Sequence, residues 1–397
     1  MSTKPSASRS AISQRVSQIS PSGIRKFFDL LSSMEGVISL GVGEPDFVTP
    51  WHIREAAIYS LEKGYTMYTS NQGLPELRQE VAHYLKSRHG LEYDPDTEVL
   101  ITVGVSEGLD LAVRAILDPG DEVIMPDPSY VAYSPCVTLS GGTSILVPTS
   151  PDNEFKVKAS EIEARISNRT RAVLIGYPSN PTGAVMPRDE LAQISEIARR
   201  HDILVISDEI YEHLVYGVEH TCFATLPGMR EHTILLGGFS KAYAMTGWRI
   251  GYAVARKEII QAMTKIHQYT MLCAPIMGQM AAIEALKSRE VFITEMVEEY
   301  DYRRRVMVKG LNDIGLTCFE PKGAFFAFPS VKVTGMTSEE FAQRLLTEEK
   351  VAVVPGSAFG PCGEGHIRCC YATSLADIEE ALQRMGHFVE RNRQTSK

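Results

Sequence analysis

Short apolar runs alternate with segments of helical periodicity between about residues 50 and 286. The runs have the length of strands, and the segments between them repeat apolar residues at the three- and four-residue spacing of an amphipathic helix. Strands and helices that alternate in this way form a parallel sheet covered by helices on both faces. The pattern therefore predicts an α/β fold for this part of the chain.

Three of the predicted strands end in polar loops. The run 98–103 reaches Gly104, the run 172–176 leads to Asn180, and the run 203–207 ends at Asp208. In open α/β sheets, ligands bind at the carboxyl ends of the strands. We therefore expect Asn180 and Asp208 to lie on the same rim of the sheet.

The pattern changes at about residue 289. A long charged helix from Glu295 to Leu311 is followed by short apolar runs, which we interpret as strands of a smaller α+β domain. The segment before Pro50 is expected to pack with this domain. The predicted organisation is a disordered segment 1–18, a small domain of residues 19–49 and 290–397, and a large domain of residues 50–289.

Composition narrows the class of protein. A chain of 397 residues exceeds the usual size of a single core. The net charge of -9 argues against nucleic acid as the main partner, and no apolar stretch is long enough to cross a membrane.

Cysteine usage and the N-terminal segment bear on location. The seven cysteines are odd in number and form no CxxC pair, a pattern typical of reduced thiols and not of a disulfide or zinc framework. The polar N-terminal segment lacks the apolar stretch of a secretory signal. We expect a cytoplasmic protein without a metal site.

The stretch GFSKAYAMTGWRIG, residues 238–251, is the most informative. Most lysines are ordinary surface charges, but Lys241 follows an apolar run and is flanked by small residues. Arg249, eight residues later, lies in a run otherwise typical of a core. Two semi-buried cations require an anion, which a phosphate bridging Ser240 and Arg249 would supply. A lysine kept neutral by burial and a nearby cation is a nucleophile suited to Schiff-base formation.

This stretch resembles the lysine-site pattern of the class I and II aminotransferases: small, aromatic, small, Lys241, then Arg249, an apolar residue and Gly. The resemblance extends over roughly residues 20–391. It is closest to subgroup gamma of the aspartate aminotransferase family, especially its aromatic and broad-specificity members. It implies fold type I of the pyridoxal-phosphate enzymes, with a mostly parallel seven-stranded sheet in a large cofactor-binding domain. Lys241 would hold pyridoxal 5'-phosphate as a Schiff base.

The resemblance also assigns the contacts of the cofactor ring. Asp208, in Ser-Asp-Glu-Ile-Tyr, corresponds to the family's aspartate that pairs with the pyridine nitrogen and makes the ring an electron sink. Tyr211 and Asn180 correspond to the residues that bind the phenolic oxygen, and Tyr130 to the aromatic that stacks on the ring. Taken singly, Asp208 is also typical of a helix N-cap, Asn180 of a tight turn and Tyr130 of a core.

The phosphate site is predicted at a strand–helix junction. Backbone N–H groups at a helix start form an anion site, so Val105, Ser106 and Glu107 are expected to contact the phosphate together with Ser240 and Arg249. A loop of this kind is about as often only a turn between a strand and a helix.

Substrate binding and assembly rest on three further matches. Arg368 corresponds to the arginine that binds the substrate α-carboxylate, for which a bidentate guanidinium is well suited. Gly43 corresponds to a glycine whose backbone lies beside the same carboxylate, and is also typical of a turn. Asn180 is expected to contact the substrate too. Tyr68 corresponds to a tyrosine that reaches the phosphate of the neighbouring subunit, which implies a homodimer with composite active sites.

Two positions depart from the family's pattern. Gly238 stands where many relatives have a phosphate-binding serine, so that one phosphate contact is missing. Ser106 stands where aspartate-specific gamma members have a lysine that contacts the second carboxylate of the substrate. The latter departure favours aromatic or other uncharged amino acids over aspartate.

The predicted activity is transfer of an amino group from an amino acid to a 2-oxo acid such as 2-oxoglutarate, in two stages. Lys241 would act as general acid–base, with Asp208 and Tyr211 as its catalytic partners. A β-lyase or elimination enzyme on the same site, or an aspartate-specific aminotransferase, remains the alternative. A non-enzymatic regulator would need a fused DNA-binding domain.

Overall fold

A seven-stranded sheet organises the larger part of the chain in the computed structural model, which describes residues 11–19, 34–288 and 291–393. The sheet strands are β2 (Val99–Thr102), β3 (Glu122–Asp127), β4 (Thr143–Pro148), β5 (Thr170–Ile175), β6 (Leu204–Asp208), β7 (Thr233–Gly238) and β8 (Gly251–Val254). Their order is β2-β8-β7-β6-β5-β3-β4. Only β8 runs antiparallel to its neighbours, β2 and β7, so the predicted mostly parallel sheet is confirmed.

Apart from the partly exposed edge strand β4, the strands are largely buried and apolar because both faces of the sheet are covered. In β6, Leu204 and Ile206 belong to one hydrophobic cluster and Val205 to another. Successive side chains of a strand point to opposite faces, so a strand buried on both sides is a continuous apolar run. This is why the pattern of the sequence indicated parallel strands.

Twelve helices accompany the strands within the described residues. They are α1 (Gln14–Ser17), α2 (Trp51–Glu62), α3 (Pro75–His89), α4 (Gly104–Ile116), α5 (Tyr133–Leu139), α6 (Ala159–Glu163), α7 (Arg188–Arg200), α8 (Lys257–Thr270), α9 (Ile276–Lys287), α10 (Val291–Asp313), α11 (Ser338–Glu349) and α12 (Leu375–Asn392). Local signals set several ends. Gly90 closes α3 in the left-handed conformation, and Ser374 caps α12 by accepting from the Asp377 N–H.

A second, smaller core lies in the last third of the chain. Here β9 (Phe326–Ala327), β11 (Val354–Pro355) and β12 (Ile367–Cys370) form an antiparallel sheet, while β1 (Ile38–Ser39) pairs in parallel with β10 (Val351–Ala352). One hydrophobic cluster unites Leu40 with residues of α10, α11 and α12. These contacts agree with a small domain built from both ends of the chain, and its boundaries stay a prediction.

The N-terminal segment differs in part from its expected disorder. Gln14–Ser17 form a helical turn, and the Arg15 guanidinium donates to the Leu139 carbonyl at 3.1 Å. Predictions that concern residues 1–10, 20–33, 289–290 and 394–397 lie outside the described residues. Across the described ranges, no helix combines the length and apolar composition needed to cross a bilayer.

Candidate active site

A cavity of about 430 Å³ opens at the carboxyl ends of β2, β5, β6 and β7. Most of the predicted site residues line it: Gly43, Val105, Ser106, Tyr130, Asn180, Asp208, Tyr211, Ser240, Lys241, Arg249 and Arg368. Asn180 and Asp208 therefore share one rim, as their positions after β5 and β6 require. The fold gathers these residues from segments more than 300 positions apart in the chain.

Lys241 lies on the cavity wall just after β7. Its Nζ donates to the Gly43 carbonyl at 2.6 Å and lies 5.7 Å from the centre of the Tyr211 ring. Burial lowers the pKa of Lys241 to about 8, and the charges of Arg368 and Arg249 act in the same direction. The uncharged amine, which a nucleophile requires, is therefore far more populated near neutral pH than for an ordinary lysine.

Asp208, at the end of β6, has a buried carboxyl group that accepts two hydrogen bonds. The Tyr133 hydroxyl donates to its Oδ2 at 2.9 Å, and the Ile210 N–H donates to its Oδ1 at 3.2 Å. Burial raises the pKa of Asp208 to about 6, while both hydrogen bonds stabilise the charged form and limit the rise. The carboxyl group is therefore set to pair with a cationic group in the cavity.

Sequence reasoning did not single out Tyr133. It lies three residues after Tyr130, a spacing that places both side chains on one side of a helical turn, and this was the available signal. Gly176 makes room for it, since a Cβ there would lie 2.3 Å from the Tyr133 hydroxyl oxygen. Tyr133 thus reaches Asp208 only because residue 176 has no side chain.

Arg368, on β12, is a buried cation. Its guanidinium donates to Asn180 Oδ1 at 2.9 Å and to the Gly41 carbonyl at 2.7 Å, and it lies 4.4 Å from the centre of the Phe326 ring. Within the described ranges no carboxylate pairs with it, and its Nε has no hydrogen-bond partner. Burial lowers the pKa of Arg368. Such a group is suited to bind a carboxylate from a ligand.

The guanidinium of a second cation, Arg249, packs against Gly104, the first residue of α4. Arg249 adopts a left-handed backbone conformation, with φ 56°, and donates to the Thr246 carbonyl at 3.0 Å. A Cβ on Gly104 would lie 2.6 Å from the Arg249 guanidinium, so the loop needs glycine at this position. The first N–H groups of α4 and this guanidinium are groups of the kind that binds anions. Ser106 in the same turn is hydrogen bonded to Tyr130.

Two predicted contacts do not line the cavity. The Glu107 carboxylate accepts from the Val103 N–H at 2.6 Å and contacts the fully buried His267 at 2.7 Å. Only its backbone is left to meet a phosphate. Tyr68 is 80% exposed and lies beside Val103 in a separate surface hollow. Within one chain, Tyr68 is therefore not part of the site.

The aromatic pair Phe325 and Phe326 would favour aromatic substrates only if its rings lined the site. Both rings are fully buried, and neither is among the residues that line the cavity. The Phe326 ring packs against the Arg368 guanidinium. The centre of the Phe325 ring lies 5.5 Å from Lys241 Nζ. These rings hold the two cations in place from behind.

Comparisons with known proteins agree with this geometry. The family Aminotransferase class I and II matches residues 35–385. YugH of Bacillus subtilis (strain 168), provisionally named an aminotransferase, is 56% identical over 382 residues, which cover 96% of this chain and 99% of YugH. An aspartate aminotransferase of Pyrococcus abyssi is 46% identical and covers 94% of this chain and 97% of its own. The crystal structure of an aromatic aminotransferase from Pyrococcus horikoshii OT3 is similar with a TM-score of 0.88 at 44% identity, covering 92% of this chain and 99% of that one.

The chain belongs to the class I and II aminotransferases. It is an enzyme that transfers amino groups, and enzymes of this family act on amino acids and 2-oxo acids and generally depend on pyridoxal phosphate. The predicted activity and fold type I are confirmed. Relatives named for aspartate and for aromatic substrates are almost equally similar, at 46% and 44% identity, so the similarities leave the preferred donor open.

Proposed function

We propose that the cavity binds pyridoxal 5'-phosphate, with Lys241 as its point of covalent attachment. The observation that carries the proposal is the position of this lysine: its amine, with a pKa lowered to about 8, shares one cavity with the Asp208 carboxyl group and the cations Arg249 and Arg368. The ligand has a matching aldehyde, a basic ring nitrogen and a phosphate, and an incoming amino acid brings the carboxylate that Arg368 lacks.

Each part of the cofactor has a candidate partner. Asp208 would pair with the ring nitrogen, Tyr211 and Asn180 would donate to the phenolic oxygen, and Tyr130 would stack on the ring. The phosphate would be held by Ser240, Arg249 and the first N–H groups of α4 at Val105, Ser106 and Glu107. Ser240 and the N–H groups would offset the contact absent at Gly238.

The chain's own residues then account for amino-group transfer. The bound cofactor supplies an electron sink that stabilises negative charge at the substrate Cα. Arg368 binds the substrate α-carboxylate beside Gly43 and Asn180, which orients the Cα–H bond towards Lys241. Once the incoming amine has displaced it from the cofactor, Lys241 would remove that proton as a general base and then donate it as a general acid to complete the transfer. Burial of Lys241 keeps its amine in the pKa range in which both steps proceed.

Chemical trapping tests the attachment point. Borohydride treatment of the purified enzyme should abolish its visible absorbance and leave the cofactor fixed at Lys241, as located by peptide mass spectrometry. Only a covalent link between amine and aldehyde is reduced in this way. An adduct on any other lysine would contradict the assignment.

We further propose that the enzyme belongs to subgroup gamma and prefers aromatic or other uncharged amino donors. Ser106, a neutral residue that lines the cavity, stands where aspartate-specific members carry a lysine. A second carboxylate without a cation in a partly buried pocket is destabilised.

With 2-oxoglutarate as acceptor, phenylalanine or tyrosine should therefore have a higher kcat/KM than aspartate. Steady-state kinetics on the three donors measures this preference directly. The variant Ser106→Lys should raise kcat/KM for aspartate and lower it for phenylalanine, and Ser106→Ala serves as the uncharged control. A wild-type preference for aspartate of about tenfold, equal to about 1.4 kcal/mol in transition-state binding, would overturn the proposal.

We propose a homodimer in which Tyr68 completes the partner's active site. Support comes from a set of exposed apolar side chains, which single chains rarely present to water: Trp51, Met67, Tyr68, Tyr269 and Met271 are 57%, 66%, 80%, 84% and 46% exposed. Tyr68 lines a surface hollow together with Val103, the residue that precedes α4.

Sedimentation at assay concentration should therefore give a dimer. Tyr68→Phe should weaken cofactor binding by about tenfold or more, the value of one hydrogen bond to a charged group. Tyr269→Phe, at another exposed tyrosine, should not change it. A fully active monomer would refute the shared site.

We propose a cytoplasmic location. All seven cysteines are unpaired, which agrees with a reducing compartment.

A further inference from the structure

The segment 208–213, at the end of β6, presents neighbouring residues to opposite sides. Asp208 and Tyr211 line the cavity. Glu209 and Glu212, each the next residue in the chain, are not among the lining residues and are only 3% and 7% exposed. The Glu212 N–H donates to the Glu209 carbonyl at 3.0 Å. This hydrogen bond closes a turn between the neighbours Asp208 and Glu209 and the neighbours Tyr211 and Glu212. Two carboxylates buried this close together are stable only if each is paired.

Glu209 is held by three donors. The Ser207 hydroxyl donates to its Oε1 at 2.7 Å, and the Phe223 N–H donates to the same oxygen at 3.1 Å. His220 Nε2 contacts the other oxygen. Burial by itself would lower the pKa of His220, but the charge of Glu209 raises it above its ordinary value. The raised pKa of His220 favours an ion pair at this buried Glu209–His220 contact.

Glu212 is held from α3. The Tyr84 hydroxyl donates to its Oε1 at 2.5 Å, and His89 Nε2 lies 2.8 Å from its Oε2. His213 Nε2 lies 2.8 Å from the Tyr84 hydroxyl. Arg88 Nε lies 3.9 Å from Glu212 Oε2. Burial would raise the pKa of Glu212, but the His89 hydrogen bond and the histidine charges keep it well below its usual range. Glu212 is therefore a buried anion with a fixed set of partners.

These pairs limit how the segment can move. No residue of α3 is among those that line the cavity, so this helix reaches the site through Glu212. A shift of the turn would strip a buried carboxylate of its partners, which is strongly unfavourable. A displacement of about 1 Å at reacting groups can reduce a rate by about a hundredfold.

We propose that the Glu209–His220 and Glu212–His89 pairs are positioning groups for amino-group transfer: they hold the turn so that Asp208 and Tyr211 remain aimed into the cavity. The inference rests on the proposed function, which assigns Asp208 and Tyr211 to the cofactor. It identifies two buried carboxylate–histidine pairs outside the cavity wall as determinants of turnover.

The variants Glu209→Gln and Glu212→Gln test this, because glutamine keeps the shape of the side chain and removes its charge. The matched control is Glu122→Gln. Glu122 is 4% exposed and pairs with Ser167 and Arg169, both at 2.6 Å, but it begins β3 at the opposite end of the sheet from the cavity. Each variant is loaded with pyridoxal phosphate. Measured are kcat, KM, Tm and the pH midpoint of the cofactor's visible absorbance.

Both test variants should lose about tenfold to a hundredfold in kcat with little change in KM, and their absorbance midpoint should shift. Glu122→Gln should lose a similar amount of Tm and keep the wild-type kcat and midpoint. If all three variants lose only Tm, the pairs serve stability alone and the proposal is overturned.

If a glutamine variant does not fold, His89→Asn and His220→Asn remove the same pairs from the other side, and the same criteria decide. The two proposals fail in different ways. If the wild-type enzyme lacks a borohydride-sensitive band at Lys241, the cofactor assignment fails. If it has that band and the variants match it in kcat and midpoint, only the positioning role fails.

Discussion

Lys241→Ala should reduce kcat by about 10⁴-fold or more, the largest loss that we expect from a single substitution. The loss of a general acid–base alone costs about 10²–10⁴-fold, and this variant also removes the point of covalent attachment. The cofactor should still bind, because its ring and phosphate partners remain. Single-turnover measurements of oxo-acid formation and a binding titration would separate the two effects.

Lys156→Ala is the matched control for this substitution. Lys156 is also largely buried, with 19% of its side chain exposed, and it pairs with Glu190 at 2.8 Å, but it does not line the cavity. This control should turn over at the wild-type rate. If the Lys241→Ala enzyme retained a large part of the wild-type kcat, another group would have to move the proton.

Asp208→Asn should bind the cofactor and lose about 2–4 kcal/mol of transition-state stabilisation, which is roughly a thirtyfold to thousandfold fall in kcat. Asparagine retains an oxygen that can accept from Tyr133 or Ile210, but it cannot carry the negative charge that keeps a ring nitrogen protonated. The same reasoning gives a pH dependence. Burial raises the pKa of Asp208 to about 6 in the cofactor-free cavity, so cofactor affinity should fall as the pH drops through that value.

Asp127→Asn provides the comparison for Asp208. Asp127 is another buried aspartate at the end of a strand, 3% exposed, and it accepts from the Cys362 N–H at 3.1 Å. It does not line the cavity, so its replacement should alter stability and leave kcat close to wild type. Equal losses of kcat in both variants would indicate a general effect of packing, and normal turnover in Asp208→Asn would mean that the ring nitrogen has another partner.

The sequence by itself determined the sheet and the residues on its rim. Strands that are buried on both faces must be apolar without interruption, and the loops that follow them lie at one edge. This made it possible to predict that Asn180 and Asp208 share a rim. Lys241 and Arg249 could be identified because a cation in an apolar run requires a partner, and the family resemblance added Tyr211 and Arg368.

The tertiary structure decided the contacts between distant segments. Nothing local in the sequence shows that Tyr133 reaches Asp208 over Gly176, or that Lys241 donates to the backbone of Gly43. Such contacts depend on how α5, the ends of the sheet strands and the loop at Gly43 pack together, and residue spacing does not encode that geometry. Side-chain direction was also settled only in three dimensions.

Glu107 and Glu212 illustrate the point. Each lies in a segment that sequence reasoning placed at the site, yet Glu107 turns towards His267 and Glu212 towards Tyr84 and His89. The physical reason is that a buried carboxylate goes where a donor or a cation can pair with it. Those partners come from α8 and α3, so their position relative to the rim is known only once the chain has folded.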